Sequence, residues 1–195
     1  MFSTNIKRIV EYWVSVKIID DSDKDIYEYG LELLLFSVIN IAVIMITAIF
    51  INRIIESVAL LALVIPLQSF GGGYHAKTHL RCFLIMYIGW WLIMNLITYM
   101  TILTILVISI ISLIAIFYLA PVSNENVPLS NKQRLKMRKL ARFAAVVALI
   151  TIIVMSLIIT RYENISSVLA IGLGATALSM IVERLKDIAN KFIEQ

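Results

Sequence analysis

The sequence has little charge: Asp, Glu, Lys and Arg together make up 15% of its 195 residues, against about 25% in soluble globular domains. With 61% hydrophobic residues and a mean hydropathy of +0.92, an ordinary water-soluble domain is excluded. A disordered chain is excluded as well, because such chains lack the Ile, Leu and Val that dominate here. The net charge of +4 does not indicate a nucleic-acid partner, because in a membrane protein the placement of Lys and Arg matters more than their sum.

Cysteine is almost absent, since Cys82 is the only one in the chain. A single cysteine cannot form an internal disulfide or a multi-cysteine metal cluster. Three prolines and seven glycines are too few for a collagen-like or linker architecture. The first thirty residues contain four aspartates and no compact apolar run ending in small residues, so we expect no cleavable signal peptide.

The sequence contains several long apolar runs without charge. A helix needs about 20 such residues to cross a hydrocarbon core about 30 Å thick. The uncharged run from Phe83 to Ala120 is nearly twice as long as one span requires, so we predict two helices joined by a tight turn near Asn95–Thr104. Further spans are predicted at Leu33–Ile51, Phe143–Thr160 and Ile165–Val182, the last two joined by a short loop at Arg161–Asn164.

The segment Ile54–Phe70 is ambiguous, because it contains Glu56 and Pro66 and its uncharged core is short. Counting positive charges favours a span there. With six spans, all but Arg53 and Arg161 of the 17 Lys and Arg residues lie on the side of the termini. The positive-inside rule then predicts a multi-pass protein of the cell membrane, with both termini and the loop of residues 71–82 in the cytoplasm.

We therefore predict an all-α polytopic membrane protein with six transmembrane helices, forming one domain over residues 1–195. Residues 1–30 form a cytoplasmic or interfacial segment, residues 31–182 the membrane region and residues 183–195 a cytoplasmic tail. In the first segment, apolar residues recur at close to helical spacing, with Lys7, Arg8 and Lys17 between them. This pattern favours an amphipathic helix on the inner leaflet, in contact with membrane lipid.

The residues that can carry chemistry are concentrated just before the third span. Both histidines of the chain, His75 and His79, lie within eight residues that also hold Cys82. Cysteine with histidine suggests nucleophilic catalysis, in which imidazole accepts the thiol proton and the thiolate attacks a carbonyl. The N–H groups of a helix beginning near Cys82 could bind the resulting oxyanion, with Lys77 and Arg81 as supporting residues.

The spacing leaves the choice of base open. In a continuous helix, the Cα atoms of His75 and Cys82 would lie about 10.5 Å apart, too far for direct proton transfer. If His75 is the base, the helix must begin after it, and the glycines of residues 71–73 permit a bend at that point. His79, three positions before Cys82, would face it on a continuous helix. Geometry alone therefore ranks His79 at least level with His75.

Three other interpretations of these residues compete with a thiol enzyme. Cys82 could be only a small buried apolar residue. The spacing His75-x3-His79-x2-Cys82 could hold a metal, but no carboxylate lies between Gly71 and Cys82 to act as base, and we predict no metal and no cofactor. A small membrane transporter or peptide exporter, with the glycine loop as a gate, would need an ionisable site inside its spans. Most of the predicted spans carry no charge, which disfavours it.

Taken together, these motifs resemble the accessory gene regulator B (AgrB) family, bacterial membrane cysteine endopeptidases that process quorum-sensing propeptides. The resemblance rests on Gly72-Gly73-Tyr74-His75-Ala76 with Cys82 seven residues after the histidine, and on the proline-bounded segment Ala120–Pro128 after the fourth span. It covers essentially the whole chain. Relatives often have Arg and Ser where this chain has Gln68 and Met86.

The resemblance implies that Cys82 is the nucleophile and His75 the base. It implies an AgrD-like propeptide substrate, whose carboxy-terminal tail is cut off through an acyl-enzyme thioester, leading to a cyclic autoinducing peptide, and it suggests a homodimer. Basic residues after the fourth span would bind an acidic propeptide tail or anionic lipid, or they serve only as the positive-inside signal. The supporting residues are Gly72, Gly73, Lys77, His79 and Arg81, and the predicted substrate-binding residues are Lys132, Arg134, Lys136 and Arg138.

Overall fold

A computed structural model of the chain describes residues 2–74, 78–122, 130–157 and 163–193, and the regular structure within these ranges is helical throughout. Six helices, α2 to α7, are long and apolar enough to cross a membrane. The predicted all-α fold with six candidate spans is therefore confirmed. The helices are α1 (Phe2–Ser15), α2 (Lys24–Phe50), α3 (Ile54–Gly71), α4 (His79–Leu96), α5 (Ile102–Leu119), α6 (Asn131–Leu157) and α7 (Glu163–Ile193), with 3₁₀ turns at Asp21–Asp23 and Ile97–Tyr99.

Two uncertain points of the sequence are settled by the helix boundaries. The ambiguous segment is one helix, α3, with Pro66 inside it. The long apolar run breaks where predicted, because Thr101 caps the start of α5. Its hydroxyl accepts from the Thr104 N–H at 3.3 Å, and the Thr104 hydroxyl accepts from the Thr101 N–H at 2.9 Å. This reciprocal capping box ends one helix and starts the next within a few residues.

Several helices extend beyond the apolar runs that predicted them. Helix α2 begins at Lys24, inside the segment expected to precede the membrane region. Helix α7 begins at Glu163, inside the predicted loop, and continues to Ile193 through the predicted tail; residues 161 and 162 of that loop lie outside the described ranges. Hydropathy marks which part of a helix favours lipid, whereas backbone hydrogen bonding continues into polar sequence. The helices are therefore longer than the predicted spans, and the division into residues 1–30, 31–182 and 183–195 stays a prediction.

Helix α7 lies at the centre of the bundle and packs against α3, α5 and α6. Small residues allow the close approach. A Cβ built on Gly172 would meet Leu60 of α3 at 2.5 Å, and one built on Gly174 would meet Ile108 of α5 at 3.1 Å. Two faces of the same helix thus pack closely against two different neighbours.

Helices α1 and α2 lie at the periphery. Helix α2 packs mainly against α4, α3 and α1. Helix α1 folds back onto the start of α2, where Ile6 and Val10 are buried against a small cluster that includes Leu31. Lys24 Nζ pairs with Glu11 Oε1 across this contact at 3.2 Å. A helix is thus present at the amino terminus, and its amphipathic character and placement on the inner leaflet remain predictions.

One end of the bundle carries the residues of interest, and we call it the site face. The end of α3, the start of the α5–α6 connection and Ser179 of α7 meet there, and the α3–α4 connection leads from the same place to the start of α4. The two connections touch, since the Val122 N–H donates to the Gly71 carbonyl at 2.9 Å. Whether the site face is cytoplasmic, as the charge count predicts, is not tested by the fold.

Candidate active site

Cys82 lies on the first turn of α4 and is half-buried. Thr78 caps this helix in an extended conformation: its hydroxyl accepts from the Arg81 N–H at 3.4 Å, and its carbonyl accepts from the Cys82 N–H at 3.1 Å. Because Thr78 is extended and α4 begins at His79, no continuous helix joins residue 75 to Cys82. The geometric condition for His75 to act as the base is therefore met by the helix boundary.

The segment on the other side of the connection is held by backbone contacts that need glycine. Gly72 has φ +72°, a conformation that costs other residues free energy. A Cβ on Gly72 would meet the Val122 carbonyl oxygen at 2.5 Å. The predicted bend is therefore present at Gly72, and the α5–α6 connection leaves no room there for a side chain.

The flanking glycines serve packing against α7. A Cβ on Gly73 would meet the Ser179 Oγ at 2.6 Å, and one on Gly71 would collide with the end of the Met180 side chain. Ser179 Oγ also accepts from the Tyr74 N–H at 2.8 Å. Gly71 and Gly73 are thus packed against α7 with no room for a side chain.

Some of the predicted site residues are outside the described ranges. His75 and Lys77 are not described, and for His79 only the backbone is, as the first residue of α4. Arg81 is exposed two residues later. The choice between the two histidines therefore stays a prediction. Within the described ranges, no three His, Cys, Asp or Glu side chains lie together as metal ligands would.

The predicted substrate-binding residues fall into two groups. Lys132, Arg134 and Lys136 are exposed on the first turns of α6, next to the site face. Arg138 is half-buried, and its Nε donates to the Ala120 carbonyl at 3.2 Å. Arg138 therefore ties α6 to the end of α5, at the start of the Ala120–Pro128 motif, whose residues 123–128 lie outside the described ranges.

A second arginine of α6 strengthens the same junction. The Arg142 guanidinium donates to the Phe117 carbonyl at 2.7 Å and lies over the Phe117 ring, 5.1 Å from its centre. Carbonyls at the end of a helix lack intrahelical donors, so cationic side chains satisfy them well. The start of α6 thus fixes the segment that in turn contacts Gly72.

Sequence reasoning missed two buried polar residues close to this site. Asn40 of α2 is only 3% exposed, and it is the only amide in its apolar run, which is the signal that could have found it. Glu183 of α7 is 4% exposed, one turn beyond Ser179. Its Oε1 accepts from Lys186 at 3.1 Å, while its Oε2 has no partner among the described residues. Glu183 was missed because it falls in the predicted solvated tail.

Comparison with known protein families identifies the family of this chain. The sequence model described as Accessory gene regulator B matches residues 6–182, which is most of the chain and includes every residue of the candidate site. No curated protein and no solved structure gives a match of comparable significance.

Proposed function

Because the chain belongs to the accessory gene regulator B family, we propose that it is a membrane cysteine endopeptidase that removes the carboxy-terminal tail of an AgrD-like propeptide. Membership itself connects the chain to the accessory gene regulator quorum-sensing system, and the six apolar helices make it a multi-pass membrane protein. The observation that carries the proposal is the position of Cys82, half-buried at the start of a helix that begins after His75.

In the proposed reaction, the His75 imidazole takes the proton from the Cys82 thiol, and the sulfur attacks the scissile carbonyl carbon. A C–S bond forms and the π electrons of the carbonyl move onto its oxygen. When this intermediate collapses, the C–N bond breaks and the departing amine takes the proton from the imidazolium. The tail leaves, and the rest of the peptide remains on Cys82 as a thioester.

The cyclic product requires a second acyl transfer. A thiol or hydroxyl within the held peptide attacks the thioester carbonyl, its proton passes through the imidazole to the departing Cys82 sulfur, and a thiolactone or lactone is released. For this to outrun hydrolysis, water must be kept from the thioester. The half-buried position of Cys82 at the start of the apolar helix α4 supports this requirement.

The start of α4 offers donors for the oxyanion. The N–H groups of Arg81 and Cys82 are already bonded to Thr78. Helix geometry leaves the N–H groups of His79 and Leu80, the first two residues of α4, without an intrahelical acceptor. Side chains in a helix lean toward its amino terminus, so the Cys82 sulfur is directed toward this end of α4. We assign the oxyanion to these two groups.

The proposal also assigns a surface for the tail that is removed. The exposed residues Lys132, Arg134 and Lys136 on α6 would attract an acidic peptide tail or anionic lipid at the site face, which we take to be cytoplasmic. From the family resemblance we further expect the protein to act as a homodimer.

The test is to co-express the chain with the short peptide encoded beside its gene and to follow cleavage by mass spectrometry. Cys82→Ala should abolish cleavage, and Cys82→Ser should too, whereas a transporter would keep its activity with either change. A peptide adduct on Cys82 that hydroxylamine removes would reveal the thioester. A zinc chelator should have no effect.

The choice of base is tested by single substitutions of the histidines. His75→Ala should abolish cleavage, and His79→Ala should retain most of it. The reverse result would assign the base to His79 and contradict the role implied by the family.

A further inference from the structure

Asn40 is a polar residue buried where an apolar one would be expected. It lies in the middle of the membrane helix α2, facing α4. Its Nδ2 donates to the Met86 sulfur at 3.3 Å, and its Oδ1 has no hydrogen-bond partner among the described residues. A thioether is a weak acceptor, so neither end of this amide has a strong partner.

Such an arrangement costs folding free energy, because a buried amide without partners loses its hydrogen bonds to water. A second polar contact between the same two helices, at Thr47, is better satisfied. The Thr47 hydroxyl donates to the Val43 carbonyl at 2.8 Å and lies 3.3 Å from the Tyr87 hydroxyl. Poor hydrogen bonding is therefore specific to Asn40 and is not shared by Thr47 in the same α2–α4 contact.

The level of Asn40 in the bundle is one helical turn from the candidate nucleophile. Met86 follows Cys82 by four residues on α4, so the two side chains share a face, with Cβ atoms about 5–6 Å apart. Asn40 contacts Met86 and thus lies about one turn of α4 from Cys82, in the direction of the carboxy-terminal end of that helix. Met86 is only half-buried, and methionine is flexible enough to move aside.

We propose that Asn40 binds the main chain of the propeptide next to the scissile bond, once the Met86 side chain has moved off the amide. A peptide unit carries one donor and one acceptor, and the Asn side chain can offer a matching acceptor and donor. Main-chain groups brought among apolar helices need such partners, since no water is available there. Asn40 is a substrate-binding residue in this scheme and takes no part in proton transfer.

This inference rests on the proposed function and concerns the same site. It explains why an amide with no good partner in the free protein would lie so close to the thiol: the missing hydrogen bonds are made in the complex. It also specifies that the recognised group is the peptide backbone, so the contact does not depend on a particular substrate side chain.

The experiment uses the full-length protein in lipid nanodiscs with the Cys82→Ala substitution, which prevents turnover. The probe is a fluorescent synthetic copy of the peptide encoded beside the gene. Adding Asn40→Leu, which has a similar volume and no hydrogen-bonding groups, should weaken peptide binding by about tenfold or more, the loss expected for one or two hydrogen bonds. Thr47→Val in the same background is the control and should bind normally.

A second measurement excludes a merely structural role. Replacing a poorly paired buried amide by an apolar residue is neutral or stabilising, so Asn40→Leu should unfold at the same temperature as its parent or higher. With Cys82 present, a small maleimide should label this only cysteine at the unchanged rate. Normal peptide binding by Asn40→Leu would overturn the inference, as would weaker binding accompanied by lower thermal stability or altered labelling.

The cleavage and binding experiments distinguish an error in this inference from an error in the proposed function. If Cys82→Ala abolishes cleavage but Asn40→Leu binds peptide normally, only the role of Asn40 is wrong. If the Cys82→Ala protein binds no peptide, or if Cys82→Ser still cleaves, the proposed function is wrong and the role of Asn40 with it.

Discussion

The two sides of the α3–α4 connection are held in different ways. Before it, Gly72 contacts the α5–α6 connection, and Gly73 and Tyr74 contact Ser179 of α7, which is more than one hundred residues away in sequence. After it, Cys82 is placed by the local start of α4, a helix that lies chiefly against the peripheral helix α2. The segment Gly71–Tyr74 before the connection thus depends on long-range packing, whereas the thiol after it depends on a local helix cap. Substitutions should affect the two sides to different extents.

The largest effect is expected from Gly72→Ala. Alanine at φ +72° is strained, at a cost of about 1–3 kcal/mol, and its Cβ would approach the Val122 carbonyl oxygen at 2.5 Å. Both thermal stability and cleavage should fall, as measured by unfolding in detergent and by the propeptide assay. Gly89→Ala in α4 is the control, because nothing lies within 4 Å of the added methyl group. Equal stability of the two variants would contradict the long-range account.

A smaller effect, with a specific signature, is expected from Gly73→Ala. Its methyl group would displace the Ser179 Oγ, which lies 2.6 Å from the Cβ position and accepts from Tyr74. Ser179→Ala alone removes this hydrogen bond, at a cost of about 1 kcal/mol. The double variant should cost less than the sum, because the next atom, the Ser179 Cβ, is 3.6 Å away. Unfolding of the four proteins measures this coupling, and additive costs would show that Ser179 does not restrict residue 73.

The smallest effect is expected at the start of α6. Arg138→Met should lower the free energy of unfolding by about 1 kcal/mol, because it removes a hydrogen bond to the Ala120 carbonyl. Lys136→Met, at an exposed position, should change it by less than about 0.5 kcal/mol. If Lys136 binds the acidic tail, its substitution should instead weaken propeptide binding, and more so at low salt. A stability loss for Lys136→Met equal to that of Arg138→Met would remove the distinction between the two residues.

The fold could be predicted from the sequence because hydropathy and charge act locally. Within the described residues each apolar run lies in a helix, and the charge count correctly included the ambiguous segment containing Pro66 as a candidate span. The turn at Thr101 could also be predicted, since the two residues of its capping box are close together in the sequence. The helix ends were less well predicted, because polar sequence such as Glu183–Ile193 continues a helix without any hydropathy signal.

The candidate site could be predicted only where its signal is local. The grouping of His75, His79 and Cys82 is visible in the sequence, and so is the helix start that follows. The packing role of Gly73 could not be predicted from the sequence, because it depends on Ser179, and the position of Ser179 follows from the packing of α7. Asn40 was missed for a similar reason: what distinguishes it is the lack of a strong partner, which only the α2–α4 contact reveals.

The length of α7 has a practical consequence for experiments on this protein. Its 31 residues extend about 46 Å, well beyond a hydrocarbon layer of about 30 Å. Ser179 and Met180 contact the glycine segment, and α7 continues from there to Ile193, a further distance of about 20 Å. A fluorophore on the last turn of α7 would therefore lie well away from the glycine segment and give a reference point for distance measurements to a bound peptide. The same dye on α1, which folds onto α2, would lack this separation.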